Sequence, residues 1–187
     1  RQEPGAMNPS LRRLAQSGGL LAAAFALKYP LIGVPNVEPL SLAFFALGYA
    51  HGARWGLFVG IAGEAIFATF NPLGMPIPQV WAAQILGMAL TGMAGGLTRP
   101  FFDPIRSDRI KAAFASIAGI GVTLAFDILT NLAFAATIGP FWPVMIAGIP
   151  FAAIHVLSNA LLFALVFPIL SRWLIRPIHP VVTSSAP

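Results

Sequence analysis

The chain has 187 residues, 57% of them hydrophobic and only 9% charged, with a mean hydropathy of +0.80. Soluble domains carry about 25% charged residues, so this composition excludes an ordinary water-exposed globule and makes a bilayer the natural solvent. The net charge of +5 is not arranged as a basic stripe with interleaved aromatics, which argues against nucleic-acid binding, and the lack of cysteine excludes disulfide and thiolate chemistry.

Residues 1–10 read as a short polar leader, 11–175 as one membrane domain and 176–187 as a tail. No removable signal peptide is expected, because the small-residue cleavage pattern after an apolar core is missing. Six apolar segments follow, at roughly 15–32, 39–53, 55–70, 79–98, 110–138 and 143–174, separated by Pro, Gly and Arg clusters. A membrane span needs about 20 residues, so the second and third are short and the fifth and sixth long. Lipid leaves no partner for an open strand edge, and no period-2 alternation suggests a barrel. The expected fold is all-α: a compact six-transmembrane-helix bundle.

The first segment carries "GGLLAAAFA", in which Gly18, Ala22 and Ala26 are spaced by four and Ala15, Gly19 and Ala23 form an adjacent row. Small residues at this spacing let another helix approach closely, either within the protein or from a partner. "GMALTGMAGG" at 87–96 offers a second such groove. The connectors at 29–39, 71–79 and 138–143 are rich in Pro and Gly and nearly uncharged, and they carry Met75, Phe141 and Trp142. Proline stiffens such segments, so they read as lids or as an interfacial aromatic belt.

Positive residues sort by side of the membrane. With the N-terminus inside, ten of the eleven Lys and Arg residues fall on the cytoplasmic side, and only Lys28 lies towards the outside. Both termini are therefore expected inside. Polar residues can then be given depths. Asp127 falls about 25 Å along the fifth helix at ~1.5 Å per residue, and Thr123, Asp127 and Asn131 share one helical face. His155 and Asn159, four apart, share a face of the sixth. Lys28, Glu38, Glu64, Gln84, Asp127, Asn131 and His155 all reach similar, outward-lying levels. Charges near the bilayer centre cost about 2.5 to 3.5 kcal/mol each, so they are expected to face the bundle interior and line a wet pocket. For Asp127 the alternative is a structural ion pair with Lys28; for His155 and Asn159 it is interhelical hydrogen bonding. Glu64 has no basic neighbour on its own helix and requires Lys28, a proton or a ligand.

Six helices with both ends inside, the Ala22-x-x-x-Ala26 pattern, a proline-rich first outer loop and polar residues beneath the loops resemble the substrate-binding S component of an energy-coupling factor (ECF) vitamin transporter. The stretches "PNVEPLSLAFFALGYAHGARWGLFVGIAGE", "FDILTNLAFA" and "GIPFAAIHVLSNALLFAL" are similar to that family's subunits of unassigned ligand, and the resemblance covers residues 11–174. It implies a multi-pass protein of the cell's inner (cytoplasmic) membrane that captures a vitamin or related micronutrient from outside. Such a subunit docks on a transmembrane coupling protein driven by two cytoplasmic ATPases and topples to present its ligand inside. The resemblance places docking on Ala22 and Ala26. Expected substrate-binding residues are Asn36, Glu38, Glu64, Gln84, Asp127, Asn131, Trp142, His155 and Asn159. No G-x-x-x-x-G-K-[ST] is present, so ATP hydrolysis falls to a partner. No cofactor, metal or catalytic residue is expected, and no motif names the nutrient.

Two rival readings remain. An ion-coupled transporter or small channel would use Glu64 and Asp127 as protonation sites. An intramembrane enzyme is less well supported: there is no G-x-S-x-G, Ser158 sits three residues from His155 without an oxyanion donor set, and His51, His155 and His179 fall too far apart for one metal site.

Overall fold

In a computed structural model, which describes residues 8–34 and 36–175, the chain folds into six α-helices. They are α1 (Pro9–Lys28), α2 (Pro39–His51), α3 (Ala53–Thr69), α4 (Pro78–Phe102), α5 (Asp108–Ile138) and α6 (Phe141–Ile175). Residues 1–7 and 176–187, including Arg1, Arg176 and His179, and the loop residue Pro35 lie outside the described residues.

Three helices, α4, α5 and α6, are long and apolar enough to cross a membrane. The chain therefore reads as an all-helical membrane protein. The short second and third segments become helices of 13 and 17 residues, about 20 and 26 Å long at ~1.5 Å per residue. The shorter, α2, is apolar all round and sits at the centre, against α1, α3, α4, α5 and α6. Every residue from Leu40 to Tyr49 is buried. A helix wrapped in protein faces other side chains instead of lipid, so its length need not match the ~30 Å hydrocarbon core.

Around α2 the core is largely aromatic. Phe45 meets Phe163 and Phe167 edge-on, with ring centroids 5.2 and 5.4 Å apart, and Tyr49 meets Phe167 at 5.1 Å. Such tilted contacts match the positive edge of one ring to the negative face of another. The seam between α3 and α4 is built instead from glycine. A Cβ at Gly92 would overlap the carbonyl of Gly56, and one at Gly60 the carbonyl of Met88, so these backbones approach as closely as they do only without side chains.

Several boundaries differ from the sequence expectation, each for a local reason. The first helix begins at Pro9, inside the expected leader, because Asn8 caps it by accepting from the Ser10 N–H and proline suits the first helical turn. It ends at Lys28 instead of running to residue 32: Tyr29 still holds helical dihedrals, but Pro30 has no N–H to continue the hydrogen-bond ladder. The fourth helix continues through Arg99 to Phe102, so the break expected at 99–109, between the fourth and fifth segments, shrinks to 103–107. Phe141 and Trp142 open α6 instead of lying in a loop; Pro143 falls in the first turn, where a missing N–H leaves nothing unpaired.

Candidate binding site

The polar residues of α5 and α6 form a ladder along the seam between these helices. Asn159 donates through Nδ2 to Thr123 Oγ1 at 2.8 Å. One turn further, His155 Nδ1 lies 2.7 Å from Asp127 Oδ1. A further turn on, Asn131 packs against Gly148, where a Cβ would stand 2.8 Å from Nδ2. For the first two rungs the four-residue spacing on antiparallel neighbours produces this register, each step of four moving one turn along both helices; at the third, Gly148 stands seven residues from His155. Asn159 is 0% exposed and His155 3%, yet Asp127 Oδ2, His155 Nε2 and Asn159 Oδ1 have no hydrogen-bond partner among the described residues. Buried polar atoms of this kind are normally satisfied, so three adjacent ones mark a place where water or a ligand is expected.

The connector between α1 and α2 closes over this seam. Asn36 donates through Nδ2 to the Phe151 carbonyl at 2.7 Å, and its own carbonyl accepts from Ser158 Oγ at 2.8 Å. Asn36 holds a positive φ of 59°, a conformation that asparagine tolerates better than most residues. The same connector is tied elsewhere by Tyr29, whose hydroxyl donates to the Phe70 carbonyl at 3.2 Å.

A second charged group lies at the base of the connector. Lys28 Nζ pairs with Glu38 Oε2 at 3.0 Å and donates to the Val37 carbonyl at 3.1 Å, while Glu38 Oε1 caps α2 by accepting from the Leu40 N–H. Lys28 thus compensates Glu38 rather than Asp127, whose partner is His155; the alternative pairing of Asp127 with Lys28 does not occur. On α3, Glu64 is 4% exposed and its Oε2 has no partner among the described residues, although Lys28 and Glu38 both act on it electrostatically. Here one ammonium faces two carboxylates, Glu38 and Glu64.

The other expected residues divide. Gln84 is half-buried on α4, with Oε1 unpartnered among the described residues. Trp142 is 72% exposed and stacks edge-on with Phe141, so it does not join the buried ladder. Asn131 and Phe151 instead line a largely apolar cavity of about 460 Å³ with Phe134, Val144 and Ala147, within the ~300–1,000 Å³ of small-molecule sites. Thr123 and Ser158 belong with the site by contact; Thr123 was signalled by its spacing from Asp127, whereas nothing in the local sequence marked Ser158 as the loop's anchor.

On the first helix the two rows of small residues face outward. Ala15, Gly18, Gly19, Ala22, Ala23 and Ala26 are all exposed, and a Cβ at Gly18 or Gly19 would meet nothing within 4 Å. The competing groove on α4 is used internally: Gly92, Gly95 and Gly96 pack against the backbones of α2, α3 and the turn between them. Compared with protein-family models, curated proteins and solved structures, the chain finds no match in any of the three.

Proposed function

We propose that this protein is the substrate-capture subunit of an ECF-type importer: a six-span protein of the inner membrane, both termini cytoplasmic, that binds a vitamin or related micronutrient from outside. The observation that carries the reading is the buried polar ladder of Thr123, Asp127, His155 and Asn159 beneath a connector anchored by Asn36. Intramembrane ionisable groups with unsatisfied atoms mark a substrate path by default. Glu64 and Asp127 each keep a buried carboxylate oxygen unpartnered among the described residues, which favours a ligand rich in hydrogen-bond donors. Asn131, Gln84 and the apolar cavity beside α6 would hold its less polar part.

In this reading Ala22 and Ala26 dock the transmembrane coupling protein, whose two ATPases supply the energy. What supports it is that the small-residue face of α1 is exposed while the equivalent stripe on α4 is consumed by internal packing. Co-expression with a coupling protein and its ATPases tests the division of labour. Uptake should require all components, whereas ligand binding should require this chain alone. Uptake by the chain alone that collapses with the proton gradient would favour the ion-coupled reading, with Glu64 and Asp127 as protonation sites.

A further inference from the structure

The opposite end of the bundle carries a second polar site, unrelated to the ladder. A cavity of about 390 Å³ lies among Arg12, Arg13, His51, Gly52 and Arg99, with Leu174 also in its lining. A second, of about 470 Å³, shares Arg13, His51 and Gly52 and extends to Trp55. None of the described residues lining either one is acidic.

These arginines are fixed in place. Arg13 stacks its guanidinium 5.1 Å from the Trp55 ring centroid, and the Trp55 indole N–H donates to Ser17 at 2.9 Å. Arg99 donates to the Ala50 carbonyl and to Asp103, and Arg12 donates to the Leu174 carbonyl at 3.0 Å. The contacts of Arg13 and Arg99 use only part of their five-donor forks. The remaining donors are held at the cavity with little side-chain freedom left to lose. His51 presents a buried Nε2 that has no partner among the described residues. Gly52, with φ of 97°, is the C-cap of α2 and the N-cap of α3, which has no side-chain cap, so the uncapped first N–H groups of α3 lie beside the cavity. Arg54 also lines the second cavity but is exposed, whereas Arg106 and Arg109 are exposed and line neither, as expected of an ordinary solvated collar.

We propose that this cavity binds a phosphate group, held by Arg13, His51 and Arg99 at the N-terminus of α3. Planar guanidinium forks match phosphate oxygens two at a time, and basic pockets between membrane helices take lipid head groups. A phospholipid head group and a free phosphate share this chemistry. The site does not depend on what the ladder binds.

The test uses the full chain, with phosphatidylglycerol and inorganic phosphate as probes. In native mass spectrometry from mixed phosphatidylglycerol and phosphatidylcholine nanodiscs, selective retention of the former identifies a lipid source. A rise in thermal midpoint with inorganic phosphate, against chloride at equal ionic strength, identifies a soluble source. Either result supports the proposal if Arg13→Gln weakens binding about tenfold, the order expected for a charge-assisted contact, while Arg106→Gln leaves it unchanged. His51→Gln should weaken it too and serves if Arg13→Gln does not fold. Neither selectivity nor a phosphate shift, an equal loss in Arg106→Gln, or binding of an acidic peptide without phosphate would overturn it.

Discussion

His155 on α6 and Asp127 on α5 meet through a single buried contact, Nδ1 to Oδ1 at 2.7 Å, and each keeps its second polar atom unpartnered among the described residues. The pair is therefore half-used: one side holds two helices together and the other faces the place assigned to the ligand. Replacing Asp127 by Asn keeps a hydrogen-bonding side chain but removes the charge, and Asp127→Leu removes both. Ligand affinity should fall in both variants, more in Leu. Stability should fall by about 1–3 kcal/mol when His155 is left without a partner, with membrane insertion unchanged. Ligand titration beside a thermal scan separates the two effects; unchanged affinity in both variants would remove Asp127 from the site.

Asn36 should control how long the ligand stays. Asn36→Gly tolerates the positive φ and removes only the side-chain bond to Phe151, whereas Asn36→Ala also strains the backbone. Faster dissociation is expected in both, with the larger loss of stability in Ala. Stopped-flow release would show it. Dissociation rates equal to the parent's would mean that the connector is not a lid.

The two small-residue stripes should respond in opposite ways. Ala22→Leu and Ala26→Leu lie on an exposed face and should change stability by no more than about 0.5 kcal/mol, yet abolish co-purification with a coupling protein. Gly92→Ala places a methyl group against the Gly56 carbonyl and should destabilise the bundle, since overpacking typically costs about 1–3 kcal/mol. Pull-down and thermal scans on the three variants check both statements.

Beyond the end of α4, Asp103 accepts from Tyr49 at 2.6 Å and from Arg99 at 3.2 Å. Burial pushes its carboxyl up, but the bonds from Tyr49 and Arg99 outweigh that and hold it below the usual carboxylate range. A group whose folded pKa is depressed stabilises the protein above its unfolded value and loses that contribution as the pH falls through the folded one. Tyr49→Phe should therefore cost about 1 kcal/mol near neutral pH, and the difference from the parent should shrink in acid. Thermal scans at pH 7 and pH 3 test the sign.

Much of the helical order was legible because apolar runs and Pro, Gly and Arg breaks are local signals. The i, i+4 spacing of Thr123 with Asp127 and of His155 with Asn159 also placed each pair on one face. Which face met which was not legible: the register of α5 on α6 depends on the whole bundle, and Lys28 proved to pair with Glu38 because both flank the same short connector. Sequence spacing could not tell the α1 stripe from the α4 stripe either, since both contain small residues every four positions. Only packing shows that one is covered. Trp142 was misplaced because a Pro in the first turn of a helix looks, in sequence, like a loop.

The most direct test of the capture reading is native mass spectrometry of the gently purified chain after growth in vitamin-rich medium, run beside Asp127→Leu. The account predicts one retained small molecule of vitamin size in the parent and its loss in the variant. A chain that is consistently empty, and that on its own drives uptake dependent on a proton gradient, would contradict it.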